Sequence, residues 1–596
     1  MSKLIKFSIV LLLVASVASA VPIENKESAL DFVLLHNNDL HAHFEEMSDS
    51  GSECTPEEAL EHKCYGGFAR AATLIKRYRA DHQKRNGLPV LFLNGGDTYT
   101  GTPYFQMFKD KIASEFMNIL KPDVATLGNH GFDLGINGLL PFLRNVSFPI
   151  AVANLDIPDD HPLMQTHSVR PSVVFDVNDT KVGVIGYIAP ETKNISKSED
   201  VIFSNEIAAI NKEAETLTSQ GVKIIIALGH SGYDVDQEIA RECPMIDLVV
   251  GAHSHTFLYT GTPPDLNDKP LGPYPTIIEQ PNGKKVPVVQ ASCYAKYLGK
   301  LELSFDEDGN LIRWSGNPIL LDYQIPQDAE VIELLAKYRP SVEALTKNTI
   351  TYSKVELKND CRDFDCNIGN LITDAFVYNR VQQYTDSGTD SGWTDASVAI
   401  MNNGGIRSGA TIGNLTKYKL QTILPFQDKL FITYIPGGVL IEVLEFSVKY
   451  RGSFSQMSGM RVVYNLQKGE GPRVHSVEVL CATCSVPVYE PLDEQKTYGV
   501  ILTKFSYEGG DGFSMFKPYE YIDMKLEAAD AVINYIHRFE SIYPAIEGRI
   551  RFIGVNGVID NVSKSTSSVV KPFSVVVLIV ATLLLSQFLS NKCFTW

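Results

Sequence analysis

The chain has no positive charge to spare. Its 53 Lys and Arg face 70 Asp and Glu, a net charge of −17 over 596 residues. That balance argues against a nucleic-acid-binding surface, and a phosphorylated substrate would need local positive charge or metal to offset the overall field. No second CxxC accompanies Cys481/Cys484, so a four-thiolate zinc site cannot be completed. No short-period repeat is visible. What is present is an ordinary globular composition, 44% apolar and 21% charged, at a length that calls for two or more domains.

The longest apolar runs lie at the two ends, and both read as processing signals. Residues 1–20 carry Lys3 and Lys6, then Ile9-Val10-Leu11-Leu12-Leu13-Val14, then Ala18-Ser19-Ala20: a secretory signal with an A-x-A cleavage site. Residues 554–596 hold a polar, small-residue stretch, Ser563-Lys564-Ser565-Thr566-Ser567-Ser568, and an apolar run over 573–589. This is the pattern of a lipid-anchor signal, with Ser563, Ser565 or Ser567 as the attachment point. The rival is a spanning helix, which wants about 20 apolar residues; the run is slightly short, and Lys571-Pro572 sits at its entrance. Cysteine usage agrees with export. Cys54/Cys64, Cys361/Cys366 and Cys481/Cys484 read as small disulfide loops, Cys243 and Cys293 pair or stay free, and Cys593 leaves with the tail. Sequons at Asn145, Asn178, Asn194, Asn414 and Asn561 imply surface positions if glycosylated.

Between the ends, chemistry-bearing residues recur where apolar strands stop. Phe32-Val33-Leu34-Leu35-His36 runs into Asp39 and His41, which two-residue spacing puts on one face of an extended chain. A helix is expected from Gly66-Gly67 to about Lys84. Val90-Leu91-Phe92-Leu93-Asn94 empties into Gly95-Gly96-Asp97, and Val124-Ala125-Thr126 into Leu127-Gly128-Asn129-His130-Gly131-Phe132-Asp133. Further strands are expected over 150–155 and 182–187. Ile224-Ile225-Ile226-Ala227-Leu228-Gly229 ends at His230, and the run from Ile246 ends at His253-Ser254-His255. An Asp at a Gly turn is often only a helix cap, and a single strand-end histidine only a satisfied polar group. Five such stretches together supply mixed N/O donors for a catalytic metal site, and Asp97 has two carboxylate oxygens with which to bridge two ions. Asp133 stands three residues beyond His130, placed to orient it. A break near 321–328 precedes a charged helical stretch of about 329–346, read as a bridge between domains. Core segments beyond it include 396–401, 439–443 and 498–502.

The ordered set Asp-x-His, Gly-Asp, Gly-Asn-His, Gly-His, Gly-His-x-His resembles the metallophosphoesterase superfamily. With "CRDFDCNIGNL", "NNGGIR", "ILPF" and "YEGGDGF" in the second half, nearly all of the mature chain resembles the 5′-nucleotidase family. The resemblance implies an α/β protein: a four-layer α/β/β/α metallophosphoesterase domain over 28–323, a linker helix over 324–348, and a second, mixed α/β nucleotide-binding domain over 349–553. It implies two divalent cations, zinc first and manganese as the alternative. Asp39 and His41 hold one, Asp97 bridges, and Asn129, His230 and His253 hold the other. His255 stands where relatives vary between amide and imidazole residues, as a further ligand of the first ion. His130 with Asp133 becomes a metal-free catalytic pair. Phe426 and Phe505 match an aromatic pair that sandwiches the base, Asp511 a carboxylate on the ribose hydroxyls, and Arg362, Asn402 and Arg407 a polar set reaching ribose and phosphate.

The implied activity is hydrolysis of nucleoside 5′-monophosphates, AMP to adenosine and phosphate, by attack of a metal-activated water. An apyrase acting on ATP and ADP is the alternative, because the metal stretches do not separate the two. A catalytically lapsed secreted binding protein would show a missing ligand, and none is missing. Partners implied are a nucleotide, the outer membrane leaflet through the lipid anchor, and a second copy of the chain, as in animal relatives. No nucleic acid is implied.

Overall fold

The structure is a computed structural model that describes residues 28–84, 87–386, 392–449, 453–468, 471–553 and 559–560. The expected leader, Asn561, Cys593 and the apolar run over 573–589 lie outside the described residues. Among the described residues no helix is long and apolar enough to cross a membrane.

The first half is built on two facing sheets. Five of their strands carry the residues of interest at their C-terminal ends: β1 (Leu30–Asn37), β2 (Val90–Asn94), β3 (Val124–Ala125), β4 (Ile224–His230) and β5 (Leu248–Val250). In the eight-stranded sheet β1, β2 and β3 run parallel, followed by Ile150–Ala151 and Val169–Arg170, while Tyr297–Phe305 pairs antiparallel on the other side of β1. In the six-stranded sheet Thr180–Ile188, β4, β5 and Lys285–Val289 are parallel neighbours.

Alternation along the strands builds the layers, because successive side chains leave opposite faces. Leu30, Phe32 and Leu34 of β1 share one core with Leu91, Leu93, Val182, Val184, Ile226, Leu228 and Val250, which fills the space between the sheets. Val33 and Leu35 face the other way, into a core shared with the helices Phe68–His82, Pro103–Leu120 and Gly135–Asn145. On the far side Ile185, Ile225, Ala227 and Val249 pack against Glu206–Ser219 and Tyr233–Glu242. The order of layers is α/β/β/α. Parallel strands covered on both faces bring every C-terminal end to one edge, where α/β folds put their ligands.

One detail differs from the pattern in the sequence, and two elements are placed more fully. The run expected as one strand over 150–155 stops at Ala151 and resumes as Leu155–Asp156, which pairs in a separate ribbon with Ile202–Phe203. The core segment expected over 439–443 lies in the helix Gly437–Lys449, with Leu440 and Val443 buried in a core of the second half. The helix Ala329–Thr346, capped by the Asp328 side chain on Val331 N, falls where the charged helical stretch is expected and packs on the first half. Its Val331, Leu335, Tyr338 and Val342 are buried in the helical core of the first half. Its charges pair there too, Lys337 with Glu115 and Arg339 with Glu45.

The second half centres on a five-stranded sheet in the order 455–458, 398–402, 497–503, 429–436, 521–527. Alternation again splits it between two cores: Ala399, Met401, Ile432 and Ile501 face one way, Val398, Ile400, Ile435 and Val500 the other. Disulfides join Cys54 to Cys64, Cys361 to Cys366 and Cys481 to Cys484, while Cys243 and Cys293 stay free.

The packing of Ala329–Thr346 makes a stability prediction. Leu335 is 2% exposed, so Leu335→Ala should cost about 2–5 kcal/mol and lower the melting temperature by several degrees in scanning calorimetry. A solvated connector would tolerate the change within about 0.5 kcal/mol.

Candidate functional site

The strand ends deliver their side chains to one buried cluster. Beyond β1 the backbone turns left-handed at Asp39 and His41, and beyond β2 at Asp97 (φ 52°, 46° and 51°). These turns interlock: Asp39 N donates to Gly96 O at 3.1 Å and His41 N to Asp97 O at 2.9 Å. Gly128, after β3, has to be glycine, since a Cβ there would lie 2.0 Å from Asp97 Oδ1. That close approach lets His130 N donate to the same oxygen at 3.0 Å. His253, on the loop after β5, donates its N–H to Asp39 Oδ2 at 3.0 Å.

The imidazoles are oriented by backbone. His41 Nδ1 donates to Thr100 O at 2.9 Å and His230 Nδ1 to Gly95 O at 2.7 Å. Each therefore turns Nε2, with its lone pair, toward the carboxylates. His230 Nε2 lies 2.9 Å from Asp97 Oδ2, and His41 Nε2 lies 3.7 Å from it. His255 Nε2 is 3.4 Å from Asp39 Oδ1 and 3.1 Å from His41 Nε2. Asp39, His41 and His255 form one group whose donor atoms lie within 4.8 Å of one another, and Asp97, His230 and His253 form another. His41, Asp97 and His130 form a third. Asn129 is buried here, and neither its Oδ1 nor His230 Nε2 has a well-formed hydrogen bond.

Burial sets the charge state against the carboxylates. It pushes His253 down to about 3 and His255 to about 4. For His230 burial opposes the charge, but Asp97 and Asp39 outweigh it and hold the ring up to about 9. Burial opposes ionisation of Asp39 and Asp97 as well, yet the surrounding histidines bring both below the usual carboxylate range. The unpaired Asn129 Oδ1 and a ring of imidazoles around two buried carboxylates are the donor set of a divalent cation with mixed N/O ligation. The residues present fit such ions.

His130 stands beside this cluster. Its Nδ1 lies 2.8 Å from Asp133 Oδ2, which also accepts from Thr100 Oγ1 at 2.6 Å, and Asp133 Oδ1 accepts from Ser196 Oγ at 3.1 Å. Burial works against a charge on His130, but Asp133 and Asp97 more than offset it and raise its pKa.

The second half meets the same edge. Arg407 Nη2 lies 3.0 Å from His41 Nε2, and its guanidinium sits 5.8 Å from the centre of the Phe426 ring. Phe426 in turn stacks on His130, with centroids 5.5 Å apart and planes 23° apart. Arg362 Nη1 donates to Ser254 O at 3.3 Å, between His253 and His255. Asn402 Nδ2 donates to Asp511 Oδ2 at 2.7 Å, and burial pushes that carboxyl up to about 6. Phe505 lies so close over Gly510 that a Cβ there would sit 2.4 Å from its ring. Arg407, Phe426 and Arg362 of the second half thus stand against the histidines of the first, while Phe505 packs on the turn that carries Asp511, itself bonded to Asn402.

Sequence reasoning passed over Tyr294, whose ring contacts His41, His43 and His255 while its hydroxyl donates to Arg407 O at 2.7 Å. It also passed over Thr100 and Ser196. All three sit in irregular segments without periodic pattern, and the one local signal, left-handed backbone at Thr100 and Tyr294, is not visible in residue identity.

Comparison with known proteins agrees over both halves. The calcineurin-like phosphoesterase model matches residues 32–257, and that of the 5′-nucleotidase C-terminal domain matches residues 346–518. Protein 5NUC of Lutzomyia longipalpis is 45% identical, over 92% of this chain and 96% of its own length. The 5′-nucleotidase of Homo sapiens is 38% identical, over 88% and 91%. A solved 5′-nucleotidase precursor from Thermus thermophilus is 32% identical, with a TM-score of 0.78 over 88% of this chain and 99% of that one. With both halves matched and these relatives spanned almost end to end, the chain belongs to the 5′-nucleotidase family of hydrolases.

Proposed function

We propose that the protein hydrolyses nucleoside 5′-monophosphates outside the cell, AMP first among them, to nucleoside and phosphate. The observation that carries this reading is the approach of the second half to the first. Arg407 lies 3.0 Å from His41 Nε2, and Phe426 stacks on His130. A phosphate-binding guanidinium and a base-stacking ring therefore stand against the histidine–carboxylate cluster, within reach of one small ester.

Metallophosphoesterases use divalent metals. In this chain we assign Asp39, His41 and His255 to one cation, Asn129, His230 and His253 to the other, and Asp97 to both, with zinc favoured by the donor set and manganese the alternative. When bound, such a pair supplies Lewis acidity that acidifies water and offsets phosphoryl charge. The chain's own residues do the rest. Arg362 and Arg407 bind the phosphate oxygens with forked donors. Asn402 and Asp511 hold the ribose hydroxyls, and Phe426 and Phe505 stack on the base. His130, its Nδ1 held by Asp133 and its pKa raised, offers an Nε2 proton to the leaving oxygen.

We also infer export and a lipid anchor on the outer leaflet of the cell membrane. The three disulfides and the exposure of Asn145, Asn178, Asn194 and Asn414 support export. The anchor rests on the small-residue stretch and apolar run of the tail. The domain limits 28–323, 324–348 and 349–553 and a homodimer complete the proposal. The domain limits are supported by the largely distinct cores of the two halves and by the length over which the relatives match, while the homodimer rests on the resemblance to animal relatives alone.

The direct test is phosphate release from AMP, ADP, ATP and UDP-glucose side by side, with and without chelator. AMP should be turned over fastest, and chelator should abolish the activity; faster release from ATP and ADP would make the enzyme an apyrase.

The base contacts give a separate prediction. Phe426→Ala or Phe505→Ala should remove about 1–3 kcal/mol of stacking, a loss of roughly tenfold to hundredfold in kcat/KM for AMP. Hydrolysis of ribose 5-phosphate, which has no base, should change little. Equal losses on both substrates with a lowered melting temperature would make these rings core residues.

A further inference from the structure

Both oxygens of the Asp133 carboxylate are engaged. Oδ2 takes His130 Nδ1 and the Thr100 hydroxyl, at 2.8 and 2.6 Å, and Oδ1 takes the Ser196 hydroxyl at 3.1 Å. A carboxylate held on one oxygen alone can swing about its terminal torsion, which is broad and two-fold. The Ser196 contact fixes its plane, and through it the tilt of the imidazole.

Ser196 is itself well braced. It follows the short helix Thr192–Ile195, which packs against the turn Gly510–Gly512 that carries Asp511. Three residues on, Glu199 Oε1 accepts from Ile136 N at 2.9 Å, tying the segment to the start of the helix Gly135–Asn145, just past Asp133. Lys193 Nζ donates to Glu199 O and closes the segment on itself. Ser196 is also the hydroxyl residue of the sequon Asn194-Ile195-Ser196, whose Asn194 is exposed on the same turn.

We propose that Ser196 is a positioning residue for the His130–Asp133 pair, holding the carboxylate from the side that meets the Asp511 turn. The proposal rests on the role given to His130 above. It predicts a defect in turnover and none in substrate binding, since Ser196 touches neither the phosphate-binding arginines nor the aromatic rings.

The test uses full-length glycosylated protein loaded with zinc, and five variants assayed on AMP, among them His130→Ala and the His130→Ala/Ser196→Ala double variant. Ser196→Ala should lower kcat by about ten- to a hundredfold, with KM, zinc content and melting temperature unchanged. Ser196→Thr keeps both hydroxyl and sequon and should restore most of the rate. Asn194→Gln removes the sugar acceptor, keeps the hydroxyl, and should leave kcat intact. In a His130→Ala background Ser196→Ala should have no further effect, because its influence passes through that ring. A rise in KM with kcat unchanged, a loss with Asn194→Gln equal to that with Ser196→Ala, or an undiminished further loss in the His130→Ala background would overturn the proposal. If Ser196→Ala does not fold, Ser196→Thr and Ser196→Cys decide it. Thr should retain kcat and the weaker donor Cys should lose it, and equal kcat in the two would overturn the proposal. If His130→Ala itself leaves kcat untouched, the role given to His130 fails; a low kcat there beside a normal Ser196→Ala fails this proposal alone.

Discussion

The site depends on the burial of Asp97. Its carboxylate is held in a left-handed turn against Gly128, with the ring nitrogens of His41, His130 and His230 within 4.0 Å of Oδ2. A carboxylate taken out of water is costly unless it is paired. Here the pairing falls to imidazoles, which are themselves being pushed toward neutrality by burial. The resulting balance is uneven: His230 keeps a proton up to about 9, while His253 and His255 lose theirs near 3 and 4. Such a cluster is stabilised by a divalent cation that replaces protons, and binding would displace the proton on His230.

Much of this was legible in the sequence because strand ends are. Asp39, His41, Asp97, Asn129, His230 and His253 each follow an apolar run that stops at a polar or glycine residue, and parallel strands must bring such ends to one edge. The four-layer order came from the family resemblance. Ala329–Thr346 was harder. The sequence shows a charged helical stretch between the halves, but not that Lys337 and Arg339 reach back to acids of the first half while Leu335 and Tyr338 are buried. Phe426 and Phe505 carry no local signal that separates a stacking ring from a core ring, and only the resemblance singled them out. Ser196, Thr100 and Tyr294 act through tertiary contacts 33 to 113 residues away in sequence, which no periodicity encodes.

The two halves are joined at the site itself. Tyr294 packs on the histidines and bonds Arg407 O, Gly409 N donates to Ser50 O, and Gln106 Nε2 reaches the carbonyls of Gln421 and Pro425 just before Phe426. Most of these bonds end on backbone, so they tolerate sequence change while fixing where Arg407 and Phe426 stand. If the two halves part during the proposed reaction cycle, these are the contacts that would break.

The central claim is that two cations share Asp97, and anomalous diffraction from crystals of zinc- or manganese-loaded protein tests it most directly. The account predicts two anomalous peaks flanking the Asp97 carboxylate, one beside Asp39, His41 and His255 and one beside Asn129, His230 and His253. In Asp97→Asn crystals at the same metal concentration both peaks should be weakened. A single peak in the wild-type protein, or two peaks left at full strength by Asp97→Asn, would contradict it.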